Sequence, residues 1–156
     1  MNKVAIVTIN YDSVEELKKT IESIDNQKIK PFRHIVVSKK LKSFQIKQFK
    51  RKYRKFVLGK DNSLYNAMNI GKSFSYNCSL LFLNSGDVFY NKNAIKLIQG
   101  YSKELKKDNV IIFKTVLIHE NIFFYPKKKY FNKENYLPHS SFIFNNSKAN
   151  FNINFD

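Results

Sequence analysis

Ser79-Leu80-Leu81-Phe82-Leu83-Asn84-Ser85-Gly86-Asp87, residues 79–87, is the stretch whose reading decides the fold. Four consecutive apolar residues bounded by turn residues predict a strand buried on both faces, central in a parallel sheet. Open α/β sheets bind ligands outside the carboxyl ends of their strands. Asp87 therefore falls where a ligand is expected, although a carboxylate there also serves as a solvated turn residue or a helix cap.

Upstream, Val4 to Ile9 is a β-branched apolar run, read as the first strand, with Asn10, Tyr11 and Asp12 at its carboxyl end. Ser13 and Glu16 form a capping box. Val14, Leu17, Ile21 and Ile24 then recur at helical spacing, which predicts a helix from about Val14 to Asn26. Pro31 stops it, and Phe32 to Val37 is the second strand. Strand, helix and strand of these lengths make a βαβ unit with parallel strands. From Ser38 to Lys55 the chain is dense in Lys and Arg. Leu41, Phe44, Ile46, Phe49 and Tyr53 supply an apolar stripe, so a basic amphipathic helix is expected there. It is either a solvated face over a buried stripe or a membrane-surface contact. Phe56 to Leu58 is a short third strand, and Asn62 or Ser63 caps a helix carrying Leu64, Ala67, Met68 and Gly71.

Downstream of Asp87, Ile95, Ile98 and Leu105 mark a helix with a Lys-rich last turn. Val110 to Phe113 is a strand. Thr115–His119 and Asn121–Tyr125 read as a hairpin, Lys127–Tyr130 as a basic loop, and Leu137–Phe144 as a loop entering a last strand. No internal repeat, linker or second domain is visible.

The chain has 156 residues and 43% hydrophobic content, enough for one domain with its own core. Cys78 is the only cysteine, which excludes an intramolecular disulfide and a cysteine metal cluster and fits a reduced cytoplasmic setting with a buried thiol. No apolar run approaches the ~18–20 residues of a membrane span. Val4–Ile9 is too short for a signal-peptide core. The formal charge of +16 attracts polyanions such as nucleic acid, anionic lipid or nucleotide phosphates, though a Lys-, Asn- and Ile-rich composition also arises from codon bias.

The ordered set of Thr8-Ile9-Asn10-Tyr11-Asp12-Ser13, the helix ending in Glu22-Ser23-Ile24-Asp25-Asn26-Gln27, the strand at His34–Ser38, the run Gly59–Ser73 and Leu80–Tyr90 resembles the inverting family 2 glycosyltransferases. The likeness is to bacterial enzymes that build surface polysaccharides. It covers about residues 3 to 98 and resumes at Leu137–Phe144. It implies an α/β, GT-A-like Rossmann-type sandwich with a mostly parallel central sheet flanked by helices. It also implies a single domain over 1–156, with a nucleotide-binding part at about 1–98 and an incomplete acceptor part at about 99–156. By the same resemblance, Ile9, Asn10 and Tyr11 lie against the uridine of a UDP-sugar donor, and Asp61 lies on the uracil side. Asn69 and Gly71 end a closely packed helix. Asp87 holds a divalent Mn²⁺ or Mg²⁺ against the diphosphate, with Asn84 and Ser85 nearby. Such an ion offsets the charge that develops on a nucleoside diphosphate as it leaves, and the acceptor hydroxyl needs a general base. His139 is the candidate base.

Three departures from the family stand out. Ser38, Lys39 and Lys40 stand where many members carry an acidic residue, Asn84 occupies the first acidic position of the metal motif, and His139-Ser140 replaces a His-Gln pair. The family's catalytic Asp usually lies beyond a segment like Asn150–Asp156, so either the base comes from elsewhere or the chain is a truncated copy. The expected activity is transfer of a sugar from a UDP-sugar to a saccharide or lipid-linked acceptor, with inversion. The expected setting is cytoplasmic, peripheral at an anionic membrane face. The alternatives are a non-catalytic nucleotide-sugar-binding remnant and a basic nucleic-acid-binding α/β domain. The latter would use Lys and aromatic residues at Phe49–Phe56 and Phe123–Phe131 but shows no nucleic-acid-binding motif.

Overall fold

The computed structural model describes residues 3–59, 63–105, 110–117, 122–124, 140 and 142–146. Asp61, His119, His139 and Asp156 lie outside them.

The elements in chain order are β1 (Val4–Asn10), α1 (Val14–Asp25), β2 (Arg33–Ser38), α2 (Ser43–Phe49), β3 (Arg54–Leu58), α3 (Leu64–Ser73), β4 (Cys78–Phe82), α4 (Ala94–Tyr101), β5 (Val110–Ile112), β6 (Thr115–Leu117), β7 (Ile122–Phe124) and β8 (Phe142–Asn146). Six strands form one sheet in the order β3-β2-β1-β4-β8-β5, and β6 pairs with β7 in a separate antiparallel hairpin. β3, β2, β1 and β4 run parallel, while β8 is antiparallel to both β4 and β5. The chain moves outward from β1 to β3 and then returns to the other side of β1. The strand order thus reverses between β1 and β4, and it is at the carboxyl ends of such a switch point that open α/β sheets form their ligand crevice.

Alternation along the strands separates two buried faces. Ala5, Val7 and Ile9 of β1 join Ile35, Val37, Leu80 and Phe82 beneath Ala67 and Met68 of α3. Val4 and Ile6 point the other way, with Leu81, Leu83, Ile24 and the α4 residues Ile95 and Ile98. Leu17 and Ile21 of α1 cover Val36 beside Phe49. Ser13 starts α1 as expected, its hydroxyl accepting from the Glu16 N–H at 3.2 Å. Ser63 does the same for α3 through Asn66 at 3.1 Å.

Gly71 brings α3 hard against the sheet. A β-carbon there would collide with Cγ1 of Val7 and lie 3.1 Å from Cγ2. Val7 is fully buried in a strand and its χ1 is stiff, so it yields little. Gly71→Ala is expected to cost about 1–3 kcal/mol, as overpacking does. A denaturant midpoint equal to that of the wild type would refute this.

Two sequence expectations are corrected. The basic helix expected over Ser38–Lys55 is confined to Ser43–Phe49, and Lys50 already has extended backbone (φ −63°, ψ 133°). Tyr53 and Arg54 leave the helical path because their partners lie elsewhere. The Arg54 guanidinium donates to Asp25 Oδ1 (2.5 Å), His34 Nδ1 (2.8 Å) and the Phe49 carbonyl (2.5 Å), and the Tyr53 hydroxyl donates to Asp25 Oδ1 (2.5 Å). This buried pairing starts β3 at Arg54 instead of Phe56. The Lys-rich last turn of the next helix is also absent, because α4 stops at Tyr101 with no basic residue in its final turn.

Candidate active site

At the switch point the β1–β4 ladder outlasts β4 itself. The Leu83 N–H donates to the Val7 carbonyl (2.9 Å) and the Ser85 N–H to the Ile9 carbonyl (3.1 Å). The chain then turns at Gly86, whose φ of +95° favours glycine. The turn closes on itself. The Asp87 N–H donates to the Asn84 carbonyl (3.0 Å), and the Asn84 N–H donates to Asp87 Oδ2 (3.2 Å). Burial pushes the Asp87 carboxyl above its usual range, against the hydrogen bonds from the Asn84 N–H and the Ser140 hydroxyl.

Beside this turn, three strand ends are tied in a row. The Asn10 amide donates to Ser38 Oγ (3.0 Å), and its carbonyl oxygen accepts from the Ser85 hydroxyl (2.9 Å). Asn10 pairs with Ser38 in the β1–β2 register, so both side chains fall on the same face. Asn10 and Ser38 are buried, and the link fixes which end of the Asn10 amide faces which strand. Ile9 is buried in the α3-side core. Tyr11 is 65% exposed, with the Lys39 ammonium 5.1 Å from its ring centroid. Lys40 lies 3.2 Å from Asp12, an exposed pair of little energetic weight.

On its other side Asp87 borders a cavity of about 730 Å³, walled by Leu81, Leu83, Phe89, Leu97, Phe113 and Ser140 among others. The structure thus brings together Asn10, Asn84, Ser85 and Asp87, with Tyr11 at the rim. Asp61 and His139 lie outside the described residues.

Among the described residues no three His, Cys, Asp or Glu side chains converge. Asp87 offers one hard carboxylate beside the hydroxyl-bearing Ser85. This donor set suits Mg²⁺ or Mn²⁺ in the manner in which one carboxylate, waters and substrate phosphates share the ion.

Sequence reasoning missed the support behind this turn. Thr20, Ser23 and Gln27 recur along the polar side of α1 and the turn that follows it. The Thr20 hydroxyl donates to the Asp87 carbonyl (2.8 Å), with the Asn84 carbonyl 3.2 Å away, and accepts from the Gly86 N–H (3.0 Å). The Ser23 hydroxyl accepts from the Phe89 N–H (2.7 Å). The Gln27 amide donates to the Asn91 carbonyl (2.8 Å) and accepts from the Ile95 N–H (3.2 Å). The signal was present, since polar residues at helical spacing border the apolar stripe of Leu17, Ile21 and Ile24.

The sheet order, the flanking helices and the loop-borne carboxylate at the switch point define an α/β chain with a GT-A-like glycosyltransferase fold. Solved structures of S. aureus TarS share it. TarS 1-349 is 18% identical with a TM-score of 0.68, covering 92% of this chain and 47% of that one. TarS 1-349 in complex with UDP-GlcNAc is 17% identical, with a TM-score of 0.69 and coverage of 92% and 45%. The complex with UDP is 16% identical, with a TM-score of 0.67 and coverage of 92% and 47%. At such identity the likeness establishes the fold. The chain spans about half the length of these structures. No protein-family model matches the chain, and no curated protein matches it in sequence.

Proposed function

We propose that the chain is an inverting glycosyltransferase domain that transfers a sugar from a UDP-sugar to a saccharide or lipid-linked acceptor. The observation that carries this reading is the position of Asp87, a half-buried carboxylate in a braced turn at the crevice between the ends of β1 and β4. TarS 1-349 has been solved in complex with UDP-GlcNAc and with UDP, which supports a uridine nucleotide as donor.

In this reading the exposed Tyr11 ring offers a face to the base, and the Asn10–Ser38–Ser85 link holds the nucleoside side of the crevice in shape. Lys39, beside Tyr11, adds positive charge at this rim, which favours an anionic nucleotide. Asp87, with Ser85 beside it, would hold the divalent ion, which supplies charge neutralisation for the departing diphosphate. The acceptor, a saccharide or lipid-linked saccharide, forms its new bond at the anomeric carbon on the face opposite the breaking carbon–oxygen bond to UDP. Its hydroxyl proton passes to a general base, for which His139 remains the sequence candidate. The +16 charge supports a meeting with an anionic membrane face. Among the described residues no helix is long and apolar enough to cross a membrane.

Calorimetry of UDP with and without Mn²⁺ tests the donor site. Binding that requires the metal, followed by UDP release from UDP-N-acetylglucosamine with an acceptor, is the expected result. Metal-dependent binding without turnover would reduce the chain to a nucleotide-sugar-binding module. No binding under any condition would overturn the proposal.

A further inference from the structure

Thr20 lies in the middle of α1, 0% exposed, in a helix whose other buried residues are aliphatic. A buried hydroxyl among Leu17, Ile21 and Ile24 is costly unless it is bonded. Threonine in a helix interior commonly bonds back to the carbonyl one turn earlier. Here that carbonyl, of Glu16, accepts instead from the Gly86 N–H at 3.3 Å. The Thr20 hydroxyl is turned outward to the loop after β4, donating to the Asp87 carbonyl and accepting from the Gly86 N–H. One short side chain thus holds both sides of the peptide turn that carries the carboxylate. Ser23 and Gln27 continue the same line of support to Phe89, Asn91 and Ile95. A loop with no ladder of its own beyond Ser85 is in this way laid against a rigid helix.

We infer that Thr20 is a positioning residue, whose hydroxyl fixes the Asn84–Asp87 turn and so aims the Asp87 carboxylate at the diphosphate and its divalent ion. This rests on the donor-site reading above. Thr20 contacts the backbone of Asn84, Gly86 and Asp87 and acts through it alone. Glycine at 86 makes such bracing necessary, because an unbraced glycine turn samples more conformations than any other.

Thr20→Val keeps the shape and removes the hydroxyl, whereas Thr20→Ser keeps the hydroxyl and removes the methyl group. Three quantities are measured: the Mn²⁺ concentration that half-supports UDP binding, the affinity for uridine, and hydrogen exchange at the Gly86 amide. In Thr20→Val the Mn²⁺ requirement is expected to rise about tenfold or more, the range seen when a partner behind a metal ligand is lost. Uridine has no phosphate to engage Asp87, and its affinity is expected to stay unchanged. Exchange at Gly86 speeds up, and Thr20→Ser restores the Mn²⁺ requirement and the exchange rate towards wild type. Should Thr20→Val lose its native circular dichroism, Thr20→Ala is measured in its place. A merely structural role would lower thermal stability and leave the Mn²⁺ requirement where it was, and that result overturns the inference. So does a serine variant as impaired as the valine one. A wild type that binds no UDP with or without Mn²⁺ overturns the donor-site reading and the role of Thr20 with it. Metal-dependent wild-type binding that Thr20→Val leaves intact overturns only the latter.

Discussion

Asp87→Ala is expected to abolish metal-dependent UDP binding, with affinity in the presence of Mn²⁺ falling on the order of 100-fold or more. Removal of groups that merely orient a metal ligand already costs about 10–100-fold, and Asp87 would be the ligand itself. Among the described residues no group of three acidic, His or Cys side chains converges to hold an ion without it. The fold should survive the change. The carboxylate makes one local bond to the Asn84 N–H and one with the Ser140 hydroxyl, while the turn keeps its backbone bonds to Thr20 and Glu16. Relieving a half-buried carboxylate of its desolvation offsets part of what those side-chain bonds contribute. Calorimetry on the variant, paired with its denaturation midpoint, is the check. Wild-type affinity would remove Asp87 from the site. A collapsed midpoint would mean that the residue holds the fold together, not a ligand.

The largest effect on stability is expected at the opposite end of the sheet. Arg54→Met should cost about 3–5 kcal/mol, the usual consequence of leaving one partner of a buried ion pair behind. The Arg54 side chain is fully buried and that of Asp25 is 18% exposed, with a 2.5 Å contact between them. Burial tends to raise the Asp25 carboxyl, but the hydrogen bonds from Arg54 and Tyr53 and the charges of Arg54 and Arg51 outweigh it, so it is held below its usual value. The Tyr53 phenol is pushed up to about 12 by burial and by Asp25, which keeps it a neutral donor.

Arg54 also sets the tautomer of His34. Arg54 Nε–H donates to His34 Nδ1, so the ring proton sits on Nε2, which lies 3.0 Å from the Thr8 hydroxyl. Burial, and then the Arg54 charge, hold the His34 imidazole well below its usual value. The folded state therefore excludes a proton that the unfolded chain takes up below about pH 6.5. Stability is full above that pH and falls as pH drops towards the folded-state value, by up to about 1.4 kcal/mol per pH unit. Asp25 acts in the same direction lower down: its contribution is present above its unfolded value and is lost as pH falls through the depressed folded one. Urea unfolding of the wild type across this range tests the sign. A profile that stays flat from about pH 7 to about pH 5 would refute the reading of His34.

Much of the architecture was legible in the chain because it rests on local patterns. Val4–Ile9 and Leu80–Leu83 are long enough in apolar residues to require cover on both faces, and Ser13 and Ser63 mark helix starts through bonds that span three residues. The hairpin of β6 and β7 followed from its two short extended segments. The family resemblance implied close packing at Gly71, and the structure supplies its neighbour, Val7. The resemblance to a GT-A fold, drawn from ordered motifs, agrees with the fold shared with TarS.

The misreading of the basic helix has a tertiary cause. The stripe from Leu41 to Tyr53 is periodic enough for a helix, yet Tyr53 and Arg54 answer to Asp25 and His34, 20 to 29 residues away. Periodicity reports what a segment prefers alone, and buried pairing across the chain overrides it. The same limit hid the support of the site. Asn10, Ser38 and Ser85 are unremarkable in sequence and become a tie across three strands only in the register of β2, β1 and the extension of β4.

By itself, then, the sequence determined the alternation of strand and helix, the two-sided burial of β1 and β4, and the placing of Asp87 in a turn just past a central strand. Those features follow from hydrophobic period and turn chemistry, which act over a few residues. Only the tertiary structure decided that the strand order reverses beside that turn, that β8 enters antiparallel, and that α1 braces Gly86 and Asp87 through Thr20. Those depend on which distant groups can satisfy one another once water is excluded, and no local pattern records it.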